Sequence, residues 1–107
     1  MRSFASLRRR GEFARLRRHG RRIATRSLTI YRAGRQGKQV LVGIAAGRAL
    51  GGAVIRNRVR RRILAIVDEI SRGDGLPGRL LIEARPTAAN LRFDELKREL
   101  TDAVSAR

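Results

Sequence analysis

From about Val54 to Arg72 the residues Ile55, Val59, Ile63, Ile66, Val67 and Ile70 recur at helical spacing, and no other pattern restricts the fold of this chain as strongly. An apolar stripe on one helix must be buried against something else. The other side of the same helix carries Asn57, Arg58, Arg60 and Arg61, so one face packs and one is free for a ligand.

The rest of the chain offers what that stripe needs. Arg8 to His19 forms a first helix with Phe13 and Leu16 on one face, and Gly20 is placed to end it in a left-handed cap. Residues 1–7, with little periodicity beyond Phe4 and Leu7, read as a flexible arm. Ser27 to Arg32 alternates like a strand and Val40 to Ala46 is a compact apolar run. With Gly34 and Gly37 between them, the two are expected to form an antiparallel hairpin. Residues 47–53 (GRALGGA) form a glycine-rich loop into the second helix. Residues 73–78 form a turn, Arg79 to Ala84 a third strand, and Phe93 to Ala106 a last helix whose Phe93, Leu96, Leu100 and Val104 bury one side. The order α-β-β-α-β-α predicts a single-domain α+β sandwich over residues 1–107, the length of one ordinary domain.

Charge is the second constraint. The chain has 26 Lys and Arg against 9 Asp and Glu, a net charge of +17. Residues 1–67 hold 19 basic side chains and one acid, Glu12, whereas residues 68–107 hold 7 basic and 8 acidic, giving +18 and −1. Such self-repulsion calls for a polyanion, and the asymmetry assigns its binding to the first part of the chain. All the cations but Lys38 and Lys97 are Arg, which suits RNA and is equally what a GC-rich genome produces.

Catalytic chemistry finds little support. There is no Cys and a single His, so neither a disulfide nor a side-chain zinc site can be built. Asp94, Glu95, Glu99 and Asp102 read as helix-stabilising, and Asp68 and Glu69 as solvent-facing. His19 reads as a partner of helix-terminal carbonyls, with an RNA phosphate as the alternative. GRALGG has neither the Gly-Lys-Ser/Thr ending of a P-loop nor GxGxxG spacing, which leaves it a turn that delivers phosphate to a helix N-terminus. No apolar run approaches a membrane span or a secretory signal, so a cytoplasmic protein without a membrane partner is expected.

Arg56, Asn57, Arg58, Arg60, Arg61 and Arg62 crowd seven positions without an acid, whereas ordinary solvated helices mix the signs. AVIRNRVRRRI resembles the Arg-Asn-Arg signature of the bacterial ribonuclease P protein family. Glu12-Phe13, His19-Gly20, LTIY, VGIAAGRALGGAV, EARPTA and LRFDELKREL are similar to that family's elements in the same order. The resemblance implies a ribosomal-protein-like fold with a left-handed βαβ crossover. It also implies a non-catalytic subunit of an endoribonuclease whose RNA subunit, with magnesium ions, does the chemistry, so that no cofactor is held firmly by the protein.

The partners so implied are that catalytic RNA, contacted by Arg48, Arg56, Asn57, Arg58, Arg60 and Arg61, and the 5′ leader of precursor tRNA, held at Phe13, Arg17 and Tyr31. No obligatory protein partner is implied. Phe13 and Tyr31 also fit plain core packing. The chain departs from the family at Arg17, where a second aromatic is common, at Ala49, in place of one of a frequent basic pair, and at Leu64, where an Arg is often found. A ribosomal or RNA-chaperone protein is the rival reading, a protein nuclease the second and a cationic membrane-surface domain the third.

Overall fold

The computed structural model describes residues 4–34, 40–73, 75, 76 and 78–105. Strand β1 (Ala5–Ser6) precedes helix α1 (Arg10–His19). Strands β2 (Arg21–Ala24), β3 (Leu28–Ala33) and β4 (Leu41–Ala45) follow. A short 3-10 turn (Arg48–Leu50) leads into helix α2 (Ala53–Arg72), then come strand β5 (Arg79–Ala84), a second 3-10 turn (Pro86–Asn90) and helix α3 (Phe93–Ser105). The fold is a single α+β domain with a five-stranded mixed sheet in the order β1-β4-β5-β3-β2.

β5 is the centre of that sheet. Leu80, Leu81 and Ile82 are fully buried, which demands cover on both faces. Side-chain alternation sends Leu80 and Ile82, with Leu28, Ile30 and Val42, into the main core against Val59, Ile63, Ile66 and Val67 of α2 and Leu96, Leu100 and Val104 of α3. Leu81 points the other way, under α1, where it meets Leu7 and Leu16 with Phe13, Tyr31 and Leu41 around them.

The expected hairpin of the second and third strands is overturned. β3 pairs antiparallel with β5, β4 pairs parallel with β5, and β5 therefore lies between them. The most apolar strand takes the most buried place, and α2 provides the crossover that parallel β4 and β5 require. The hairpin partner of β3 is instead β2, which the charged stretch Arg21–Ala24 concealed; exposed arginines on an edge strand discourage further pairing.

The described part of the expected N-terminal arm, residues 4–7, is also ordered by the sheet. Ala5 and Ser6 pair parallel with Leu41 and Val42, and Leu7 is buried. Gly20 is not a left-handed cap: its φ of −72° and ψ of 159° are extended, and its N–H donates to Leu16 O while the chain runs straight into β2. The order is thus β-α-β-β-β-α-β-α. Gly37 and Lys38, within the expected connection from Ala33 to Gln39, lie outside the described residues, as does Ala106 at the end of the last helix.

In the last helix Glu95 takes its expected helix-stabilising role, while Phe93 and Glu99 depart from theirs. Phe93 stays at the surface, and Glu95 accepts a bond from the Arg92 N–H at 3.0 Å, closing the start of α3. Glu99, one turn on, reaches away from its helix: its Oε1 accepts from the Ser27 N–H at 2.6 Å and from the Thr25 hydroxyl, fastening the β2–β3 turn to α3. Arg32 Nη1 donates to Val104 O at 2.7 Å near the end of α3, and burial, then the Arg21 charge, lowers its pKa below the ordinary arginine value. Because Glu99 satisfies a buried turn and Asp102 is exposed, Glu99→Ala is expected to cost about 1–3 kcal/mol, and Asp102→Ala no more than about 0.5 kcal/mol, in urea unfolding.

Candidate nucleic-acid interface

The sheet divides the candidate residues into two groups. The α2 group lies on the side packed by the main core. Viewed down the helix, Arg56 sits closest to the buried stripe and is half-buried, while Asn57, Arg58, Arg60 and Arg61 are exposed. Arg56 Nε is out of contact with water and has no hydrogen-bond partner among the described residues. Arg60 Nη1 donates to Asn57 Oδ1 at 3.0 Å, so the Asn orients a neighbouring guanidinium one turn away.

Arg58 and Arg62 are tied to the second 3-10 turn. Arg58 Nη2 donates to Ala89 O at 3.3 Å and Arg62 Nη1 to Leu91 O at 3.0 Å. Carbonyls leave a cation its charge. Among the described residues none of Arg56, Arg58, Arg60, Arg61 and Arg62 forms an ion pair, whereas the acids nearby are spent elsewhere: Asp68 on Arg72 at 2.8 Å and Glu69 on Lys97 at 2.7 Å. The first half of α2 is therefore an uncompensated cationic ridge.

The approach to α2 has a matching geometry. Arg48 is exposed on the 3-10 turn, and Gly51, with φ 135°, makes the bend that a side chain would strain. Gly52 caps the helix without a side-chain hydrogen bond, and the first turn contains no acid. Val54 beside it is 80% exposed.

The second group lies on the opposite face, between α1 and the sheet. Phe13 and Tyr31 are half-buried around Leu16 and Leu81. The Phe13 ring rests on the backbone of Gly43, where a Cβ would stand 2.9 Å from Cε1. Arg17 follows Phe13 by one helical turn; its Cζ is 6.0 Å from the ring centre, and Nε and Nη2 both donate to Glu83 Oε2, at 3.0 and 2.9 Å. Tyr31 has Arg22 as its cross-strand partner, and Arg85 Nε donates to Thr29 Oγ1 at 3.1 Å on the same face.

Phe13, Arg17 and Tyr31 are thus brought together, as are Arg56, Asn57, Arg58, Arg60 and Arg61, on opposite faces of the sheet, and the two sets meet at the edge of β4, where Phe13 and Arg60 line one cavity with Leu64. Sequence reasoning missed Arg22, Glu83 and Arg85. Alternation along β2 and β5 would have placed the first two once those strands were paired. His19 is exposed beside the helix end. Among the described residues no three His, Cys, Asp or Glu side chains are grouped to hold a metal ion, and no helix is long and apolar enough to cross a membrane.

Comparison with known proteins settles the kinship. The family description Ribonuclease P matches residues 1–106. The chain belongs to the ribonuclease P protein family. It is 40% identical over 99 residues to the ribonuclease P protein component of Acidothermus cellulolyticus, covering 87% of this chain and 79% of that protein. It is 39% identical over 102 residues to that of Beutenbergia cavernae, covering 94% and 85%.

Among solved structures, the RNase P protein of Thermotoga maritima matches with a TM-score of 0.80 at 18% identity, covering 95% of this chain and 96% of that one. The Staphylococcus aureus RNase P protein matches with a TM-score of 0.79 at 20% identity, covering 92% and 90%. These two show that the family fold is kept at low identity. In this family member the ridge geometry predicts that Arg61→Ala and Arg58→Ala each lower the salt slope of RNA affinity by about one unit per lost phosphate contact. Fluorescence titrations over a salt series will read this. Arg62→Ala, which removes an anchor to Leu91 O, is expected to lower the thermal midpoint as well.

Proposed function

We propose that this protein is the non-catalytic subunit of ribonuclease P, binding the catalytic RNA with α2 and the 5′ leader of precursor tRNA with the face under α1. The observation that carries this reading is an unpaired cationic ridge on one face of the sheet and an aromatic cleft on the other, which adjoin where Phe13 and Arg60 line one cavity at the β4 edge. Two different RNA segments can be held at once by such a molecule. On the ridge, Arg56, Asn57, Arg58, Arg60 and Arg61 meet successive phosphates of a structured RNA, and Arg48 with the uncapped start of α2 extends the contact. In the cleft, Phe13 and Tyr31 offer rings, and Arg22 a cation, to a single strand whose bases are unstacked.

The chemistry on this reading belongs to the RNA. Magnesium ions held there activate water for attack on the phosphodiester at the mature 5′ end. The protein contributes leader binding and screens phosphate repulsion, which lowers the magnesium requirement. It acts in the cytoplasm, where precursor tRNA is made, and needs no second protein.

Cleavage of precursor tRNA at low magnesium tests this directly, using a bacterial ribonuclease P RNA with and without the protein and a protein-only control. Correct 5′ ends formed only with both components are expected. Tight RNA binding without stimulation would instead support an RNA-chaperone or ribosomal role, and cleavage by the protein alone would show a nuclease. Within the working holoenzyme, Tyr31→Ala and Phe13→Leu are expected to weaken precursor binding more than mature tRNA binding. Equal losses would mark both rings as packing only.

A further inference from the structure

Glu83 is out of place in a cleft that attracts RNA. It lies on β5 between Thr29 and Ala45 of the flanking strands, on the same face as Leu81, beneath α1. In a chain of net charge +17 a carboxylate here works against polyanion binding. Its pairing with Arg17 adds little stability, because the two side chains are 29% and 45% exposed. What the pair does provide is a fixed guanidinium. One carboxylate oxygen takes both Nε and Nη2, and Phe13 lies one helical turn back along α1 with its ring centre 6.0 Å from Arg17 Cζ.

We propose that the Arg17–Glu83 pair, set against Phe13, is a charge-neutral platform on which one nucleobase of single-stranded RNA stacks. This rests on reading the α1 face as the leader cleft. A guanidinium plane stacks on a base as an aromatic ring does. A phosphate at the same place would have to displace the carboxylate, leaving Glu83 partly buried, unpaired and beside a second anion. The strand's phosphates go instead to cations without a carboxylate: Arg85, whose Nε reaches Thr29 beside Glu83, and Arg22, beside Tyr31 on the same face. Arg17 is thus a base contact, and Glu83 is the residue that positions it.

Salt dependence separates a neutral platform from a phosphate contact, since only net charge releases counterions. The experiment measures precursor-tRNA binding to the reconstituted holoenzyme over a salt series, with the leader made abasic one position at a time. The protein is wild type, Glu83→Gln or the double variant Arg17→Gln/Glu83→Gln, each checked by circular dichroism and thermal midpoint. For the wild type, one abasic position is expected to weaken binding about tenfold, the size of one lost base stack.

The double variant, which removes the pair without changing net charge, is expected to lose affinity by a similar factor, to become indifferent to that position, and to keep its salt slope. Glu83→Gln, which turns the pair from neutral to +1, is expected to show a smaller abasic penalty and a slope steeper by about 0.7. General loss of structure would not move the two slopes differently. The double variant with a shallower slope and an intact abasic penalty would make Arg17 a phosphate contact and overturn the platform. Glu83→Gln with slope and penalty both unchanged would overturn it too. A wild-type holoenzyme that binds precursor and mature tRNA equally would refute the leader cleft itself, and the platform with it.

Discussion

Leu80, Leu81 and Ile82 of β5 have no contact with water, and three consecutive buried residues on one strand can be satisfied only by covering both faces of a sheet. That requirement fixes the rest of the molecule. β3 and β4 must flank β5, the α2 crossover must close one face, and α1 must lie on the other. The short β1 and charged β2 then finish the edges. Because α2 supplies only its isoleucine and valine stripe to the core, its outer arginines are presented as a row. Because α1 covers its face with little more than Leu16, Phe13 and Arg17 remain within reach of solvent beside Tyr31.

Electrostatics follows the same division. The acids are concentrated late in the chain, and the fold uses them to hold elements together: Glu99 on the β2–β3 turn, Glu69 on Lys97, Asp68 on Arg72. Among the described residues none is aimed at the first half of α2, so the cations there stay uncompensated. Glu83 breaks this pattern on the other face, where neutralising one arginine converts it from a counterion of phosphate into a flat surface. The family resemblance gives the same two surfaces, and the aromatic it leads one to expect is here replaced by Arg17.

The helices and β5 were legible in the sequence because each carries a pattern of one period. The stripe from Ile55 to Ile70 marks α2 to within a residue of Ala53–Arg72, and RLLIEA marks β5 without error. Pairing was not legible. Nothing local in LTIY or VLVGIAA says that a strand 33 or more residues later will insert between them, since that depends on which strand is most buried. β1 and β2 escaped for a different reason: two residues are too few for a period, and RRIA is charged because it is an edge. The arginines of α2 could be read from the sequence as a ligand face because they lie on one helix. Glu83 could not be joined to Arg17, 66 residues away, before β5 was known to lie under α1.

The central claim is that the two faces of the sheet bind different RNAs, and the absence of cysteine from the chain makes it directly measurable. Single cysteines at the exposed Ala24 on the cleft side and Ala65 on the outer side of α2 accept an iron–EDTA group. In the holoenzyme with precursor tRNA, hydroxyl radicals from position 24 should cut the leader, and those from position 65 the RNA subunit. Leader cleavage from position 65 without cleavage from position 24 would contradict the account.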